Sequence, residues 1–206
     1  RENRLAAHHV FDRARAGGYL DQTLAKLKAA HPTSAVVNDL IAQAKPTRRP
    51  MVIAHRGGDA LHFPENTMPA IRDAVEKGDE AIEIDITVTK DDQIVLWHDY
   101  DPGDLVAGMR EMGMEPGGGS KPWKPSEGPA RRPIYELNLP SVRANYGYSR
   151  RDGNILTNDR VDVEIPRFDE VAAYARQHPE LKKIVLDIKL PPDKPEVQHK
   201  FAVRLK

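Results

Sequence analysis

Between Ala81 and Val88 the chain alternates without a break. Ile82, Ile84, Ile86 and Val88 fall on one side, and Glu83, Asp85 and Thr87 on the other. A period of two is that of a β-strand, whose successive side chains point to opposite faces. The apolar side must be covered, and the acidic side must be accommodated. Two carboxylates sharing a face repel each other, and each loses solvation if the face is enclosed. A divalent cation compensates both effects, and all-oxygen ligation suits Mg²⁺ or Ca²⁺ better than zinc. On this pair alone, an edge strand with a solvated acidic face fits at least as well.

The flanking sequence supplies partners for that strand. Met51-Val52-Ile53-Ala54 is a short apolar run of the buried parallel-strand type. Asn66 or Thr67 can cap a helix with a buried stripe of Ala70, Ile71, Ala74 and Val75, and Gly78 ends it. A turn at Asp91-Asp92 leads to another strand, Ile94-Val95-Leu96-Trp97. Further on, a helix turns Phe168, Val171, Ala172 and Ala175 inward and stops at Pro179; a strand from Ile184 to Ile188 follows, and a last helix begins beyond Pro191. Strands separated by helical crossovers predict a parallel α/β sheet.

Two segments stand outside this pattern. Residues 1–50 read as a helical extension, with Leu20, Leu24 and Leu27, then Val36, Val37, Leu40, Ile41 and Ala44, at helical spacing. Gly17-Gly18, His31-Pro32 and Pro46 punctuate it, and Ser34 is placed to cap its second helix. Residues 99–165 form a Gly- and Pro-rich excursion, read as a long loop or insertion, and loops of that length are usually functional or disordered. The domain reading is therefore 1–50 as the extension and 51–206 as the α/β domain.

The chemistry-bearing residues gather on the strands of that domain. Asp187 and Lys189 face away from Leu186 and Ile188, repeating the polar-against-apolar split of the first acidic strand. His55-Arg56 follows the first strand directly, and His98-Asp99 follows the third. In parallel α/β folds, sites lie at the carboxyl ends of strands. Both histidines, Arg56 and the carboxylates thus converge on one end of the sheet. Taken singly, each histidine is more often structural and Asp187 more often a surface ion-pair partner. Together they make equipment for phosphoryl transfer or phosphodiester cleavage: a cation, Arg56 and Lys189 to gather a phosphate, and two imidazoles to trade protons.

Composition excludes several classes. Thirty-one basic and thirty-one acidic residues cancel, so the broad positive field needed for non-specific nucleic-acid binding is missing. No apolar run approaches the length of a transmembrane segment. The absence of cysteine rules out disulfides and thiolate metal sites, but it does not choose between a cytoplasmic and an exported soluble protein.

At these residues the chain resembles the glycerophosphodiester phosphodiesterase family. The resemblance runs from about Met51 to Leu190. It is carried by Ile53-Ala54-His55-Arg56-Gly57, by Phe63-Pro64-Glu65-Asn66-Thr67, by Ala81-Ile82-Glu83-Ile84-Asp85-Ile86 and by Val95-Leu96-Trp97-His98-Asp99. Leu186-Asp187-Ile188-Lys189 occupies the place of a later Glu-x-Lys motif. The resemblance implies a (β/α)8 TIM-barrel enzyme that hydrolyses glycerophosphodiesters, as small-molecule substrates, to glycerol 3-phosphate and an alcohol. It further implies one divalent cation, Mg²⁺ or Ca²⁺, held by Glu83, Asp85 and Asp187. His55 and His98 would be the acid–base pair, Arg56 and Lys189 the phosphate-binding residues, and Glu65 a supporting residue. In such enzymes the substrate's neighbouring hydroxyl attacks phosphorus first, and water then opens the cyclic product.

Two departures from the family pattern shape the expectations. Asp187 stands where the family usually has Glu, a feature shared with sphingomyelinase D-like phospholipases on the same barrel, so a sphingomyelinase D-like or lysophospholipase D-type activity is the alternative. About four barrel strands are countable from Met51 onward, where eight are needed. The expectation is an incomplete barrel, with either a missing C-terminal half or a homo-oligomer to cover its open edges. A truncated, non-catalytic phosphate-binding or interaction module is the remaining reading.

Overall fold

The computed structural model describes residues 19–44, 51–115, 119–152 and 155–206. Two compact units divide the chain, with the boundary between Pro50 and Met51. In the first, helices α1 (Tyr19–Ala30) and α2 (Ala35–Ala44) match the helical spacing of the sequence. Ser34 caps α2 as expected, its Oγ accepting a 3.3 Å hydrogen bond from the Val37 amide. The breaks expected at Gly17-Gly18 and Pro46 lie outside the described residues.

The second unit is built around β1 (Ala81–Val88), the strand with the unbroken alternation. Ile82, Ile84, Ile86 and Val88 are fully buried. They pack against Ile71, Ala74 and Val75 of α3 (Met68–Glu76), Val171 of α6 (Phe168–Gln177), and Val197 and Phe201 of α7 (Pro195–Leu205). Helices thus cover the apolar face of the strand, which leaves the acidic face to the opposite side. β6 (Lys183–Ile188) runs parallel to β1, in a register that pairs Glu83 with Val185 and Asp85 with Asp187.

Two strand readings are corrected by the structure. Ile94–Leu96 forms β2, but it pairs antiparallel to β1, with Ile86 opposite Leu96. The link of Thr89 to Gln93 is a tight turn, closed by a 2.9 Å bond from the Thr89 amide to the Gln93 carbonyl. A parallel neighbour needs a crossover of a dozen or more residues, so this link permits only a hairpin. The second correction concerns Met51-Val52-Ile53-Ala54. It lies parallel to β1 through one bridge, Ala54 with Ile82, and Met51, Val52 and Ile53 are exposed rather than buried. No described strand covers its outer side, so its apolar side chains face solvent.

Residues 99–165 are not a structureless loop. They carry α4 (Leu105–Glu111), β3 (Ser120–Trp123), α5 (Leu139–Asn145), β4 (Gly147–Asp152) and β5 (Ile155–Arg160), and the strands form an antiparallel sheet in the order β3-β4-β5. A second core joins this segment to β2 and the residue after it, made of Val95, Trp97, Ile134, Leu137, Val142, Tyr146, Tyr148 and Ile165. Trp97 anchors it, stacking edge-on against Tyr146 at 5.9 Å and tilted against Tyr148 at 5.2 Å. Its indole N–H donates to the Asp99 carbonyl at 2.9 Å. Among the described residues, no helix is long and apolar enough to cross a membrane.

Because Trp97 is buried at the join between the insertion and β2, its truncation should open a large cavity there. Trp97→Ala is expected to lower the unfolding free energy by about 3–5 kcal/mol in urea denaturation, and Trp97→Phe by less than half of that. A loss below ~1 kcal/mol for the alanine variant would show that the join does not depend on this ring.

Candidate active site

The acidic face of the sheet gathers three carboxylates. β1 presents Glu83 and Asp85, and the parallel register brings Asp187 of β6 beside Asp85. One oxygen from each lies within 4.8 Å of the others. Lys189 spans two of them, with Nζ 2.8 Å from Asp187 and 3.4 Å from Asp85. Burial works to lower the Lys189 ammonium pKa, but the two aspartates override it and hold the pKa above its usual range. The Glu83 carboxyl is pushed upward, chiefly by burial and further by Asp85, against the lowering effect of the Arg56 amide. Its Oε1 is buried and has no hydrogen-bond partner among the described residues. An unpartnered buried carboxylate oxygen beside two further acids fits a bound divalent cation, and the all-oxygen donor set suits a hard one.

Asp85 is buried, and a side chain that the sequence reading treated only as a possible helix cap clamps it. Asn66 donates from Nδ2 to Asp85 Oδ2 at 2.7 Å, and its Oδ1 accepts from the Asp85 amide at 2.9 Å. Asn66 is itself fully buried, with a left-handed φ of 55°. Thr67 stands at the N-cap of α3 instead, although its hydroxyl donates to the Pro64 carbonyl at 2.7 Å.

The turn after Ala54 delivers His55 and Arg56. Arg56 has a left-handed φ of 51°, and Gly57 and Gly58 follow with φ of 88° and 136°. A Cβ at Gly57 would sit 3.0 Å from Ile71 Cγ1, and one at Gly58 would sit 3.2 Å from the Ala70 carbonyl. Glycine therefore lets this turn lie directly on α3. The Arg56 amide donates to Glu83 Oε2 at 2.9 Å. Its guanidinium faces Glu65 at 2.6 Å, Glu115 at 2.8 Å and Asp85 at 3.3 Å. His55 stands 3.7 Å from Glu83 with its side chain 72% exposed, open to a ligand.

His98 is positioned by a different route from the one expected, and it is linked to Arg56 through Asp99, Arg110 and Glu65. It does not follow a parallel strand; the β1–β2 hairpin folds back so that the Trp97 amide donates to the Asp85 carbonyl at 3.1 Å. His98 Nδ1 and Asp99 Oδ1 are 2.7 Å apart. With Asp99 ionised, Nδ1 carries the proton and Nε2 is left free to exchange one. Burial acts to raise the Asp99 carboxyl, but the His98 bond, Arg110 and Lys124 overcome it and hold it well below the usual carboxylate range.

Arg110, Glu115 and Lys124 escaped the sequence reading. Arg110, on α4, is almost wholly buried and pairs with Asp99, Glu65 and Glu115. It thereby joins the His98 side of the site to Glu65 and Arg56. Lys124 lies 3.4 Å from Asp99 and donates to the Ala107 carbonyl at 2.7 Å. No local periodicity marks these residues, because each acts across the fold; Glu65 within Pro-Glu-Asn-Thr was the one signal of an arginine-binding cluster.

This arrangement sets an acidic cluster beside a basic one on an open α/β sheet. The glycerophosphoryl diester phosphodiesterase family profile matches residues 55–205, and the chain belongs to that family. A glycerophosphodiester phosphodiesterase from Caldanaerobacter subterraneus subsp. tengcongensis is 49% identical over 49 residues, 24% of this chain and 20% of that protein. A lysophospholipase D from Homo sapiens is 40% identical over 84 residues, 40% of this chain and 24% of that protein. A solved structure named for glycerophosphoryl diester phosphodiesterase, from Silicibacter pomeroyi DSS-3, superposes with a TM-score of 0.54 at 19% identity, over 76% of this chain and 52% of that one. At that identity the likeness shows the fold alone, an incomplete barrel of the TIM type. The chain spans about half the length of that structure, and the matched stretches of these two curated relatives are a quarter of their length or less.

A buried carboxylate with a depressed pKa stabilises the fold above its unfolded pKa, about 4, and that stability is lost as pH falls through the folded value. Asp99→Asn should therefore cost about 3 kcal/mol at neutral pH, since it removes the buried negative charge that Arg110 and Lys124 share. The gap from wild type should narrow as pH falls below about 4. Urea midpoints measured across that range test this, and a gap that stays constant with pH would contradict it.

Proposed function

We propose that the chain carries a cation-dependent phosphodiesterase centre that hydrolyses glycerophosphodiesters to glycerol 3-phosphate and an alcohol. The observation that carries this reading is the meeting of Glu83, Asp85 and Asp187 within 4.8 Å, with Arg56 and Lys189 paired to them. Glu83, Asp85 and Asp187 would hold one Mg²⁺ or Ca²⁺, which when bound supplies positive charge to the phosphoryl oxygens.

The remaining steps fall to the chain's own side chains. Arg56 and Lys189 orient the phosphate, the arginine through a planar fork matched to its oxygens. Glu65 holds the Arg56 guanidinium in place from the side. His55, exposed and 3.7 Å from Glu83, takes the proton from the substrate hydroxyl that attacks phosphorus. The bond from phosphorus to the leaving alcohol breaks as the new one forms, and His98, acting as the imidazolium, gives that alcohol its Nε2 proton; water then loses a proton to His98 as it opens the cyclic phosphate, and His55 returns its proton to the released hydroxyl oxygen, leaving glycerol 3-phosphate. Asp99 accepts from His98 Nδ1 throughout and so fixes the direction in which Nε2 points.

One observation favours lysophospholipids as a second substrate class. Leu105, Val106 and Met109 of α4, with Met112, Met114 and Leu61, are exposed, and the same helix sends Arg110 into the site. An acyl chain beside the phosphodiester would find apolar contacts there. Comparing kcat/KM for lysophosphatidylcholine and glycerophosphocholine separates the two: a preference for the long-chain substrate that falls in Met109→Ser supports the second reading.

The primary test is release of glycerol 3-phosphate from glycerophosphocholine with and without divalent cation. The expected result is cation-dependent turnover that drops by about 10²–10⁴-fold in His55→Ala and in His98→Ala. Metal-independent release, or an unaffected His55→Ala, would refute the assignment. Added Mg²⁺ or Ca²⁺ should also raise the melting temperature of the wild type and not that of Asp85→Asn.

A further inference from the structure

Glu115 lies on the insertion, just beyond α4, yet it enters the phosphate-facing part of the site. Its Oε1 is 2.8 Å from Arg56 Nη1, the guanidinium assigned to the phosphate, and its Oε2 is 2.7 Å from Arg110 Nε. Glu65 bridges the same two arginines from another side. Two guanidinium charges are thereby matched by two carboxylates, leaving no net positive charge on this wall of the site. The other wall, three carboxylates with Lys189, would likewise sum to neutrality with a divalent cation bound.

Glu115 does not need to leave when Arg56 turns to a phosphate. Its second oxygen stays on Arg110, which is buried and held independently by Asp99. Its side chain is about one-third exposed, so it stands at the open side of the cluster, where a ligand would approach. A phosphate on Arg56 would then lie a few ångströms from a fixed negative charge, and repulsion would grow with each charge on the ligand. A phosphodiester carries one negative charge, whereas a phosphomonoester carries nearly two at neutral pH because its second pKa is about 6.

Building on the phosphodiesterase reading, we propose that Glu115 is a specificity-determining residue. By neutralising Arg56 it admits the singly charged phosphodiester and disfavours the doubly charged phosphomonoester, which eases release of the product. Glu115→Gln keeps the shape and an acceptor oxygen for the arginines while removing the charge.

Calorimetric titration of the wild type and Glu115→Gln, with divalent cation present, provides the test. The probes are glycerol 3-phosphate, doubly charged, and dimethyl phosphate, a singly charged diester without a neighbouring hydroxyl. Glu115→Gln should bind glycerol 3-phosphate roughly tenfold tighter, with dimethyl phosphate changing far less. The ratio of the two affinities is unaffected by a partial loss of folded protein, so it separates a charge effect from a structural one. An unchanged ratio overturns the proposal, and failure of either protein to bind either probe removes the phosphate subsite and the proposal with it. A shifted ratio in a chain that does not turn over glycerophosphocholine would refute the catalytic reading while leaving the role of Glu115 intact.

Discussion

Asp85 sits beside Asp187 because β1 and β6 run parallel and in register, and that adjacency dictates most of what surrounds it. Two carboxylates on neighbouring strands, with Glu83 two residues away on the same face, would drive the strands apart if nothing opposed their charge. The fold opposes it from three directions. Lys189 spans the two aspartates, the Arg56 guanidinium approaches Asp85, and Asn66 satisfies both the carboxylate and the amide of Asp85. Glu83 Oε1 is nevertheless left buried without a hydrogen-bond partner among the described residues. Such an atom is costly in a finished fold and natural in a cation site.

The insertion belongs to the site as much as the sheet does. Trp97 fastens it to β2, and the next two residues of that hairpin are His98 and Asp99. From Asp99 the charges run through Arg110 to Glu65 and Glu115, and from there to Arg56. The histidine at one side and the arginine at the other are thus held by one continuous ion-pair network. In such a network each charge is stabilised only while its neighbours stay in place, so loss of one member is felt beyond its own contacts.

How much of this could be read from residues alone depended on how local the responsible pattern was. The period-two alternation of residues 81–88 specified β1, its buried face and the shared face of Glu83 and Asp85, because strand geometry forces all three. The same logic placed Asp187 and Lys189. Met51-Val52-Ile53-Ala54 carried a buried-strand composition, but burial depends on what lies outside it, which no local run encodes. Ile94–Leu96 read correctly as a strand and wrongly in direction, although the short link from Thr89 to Gln93 held the answer. Asn66 was visible but ambiguous, since the residue type that caps a helix also clamps a carboxylate. Arg110, Glu115 and Lys124 were illegible for a plainer reason: apart from the Arg110–Glu115 pair, the partners that tie them to the site are 11 to 59 residues away, and nothing in their own surroundings marks them. The elements within 99–165, read only as a long loop or insertion, were not legible because the short strands there, such as Gly147–Asp152, are polar and lie between glycines and prolines.

The central claim is that these three acids share one hard cation. Anomalous diffraction from crystals soaked in Mn²⁺ addresses it most directly. The account predicts a single strong peak between Glu83, Asp85 and Asp187, with carboxylate oxygens at roughly 2.0–2.6 Å from it. A map with no peak there, or with the metal bound elsewhere while the acids pair only with Lys189 and Arg56, would contradict it.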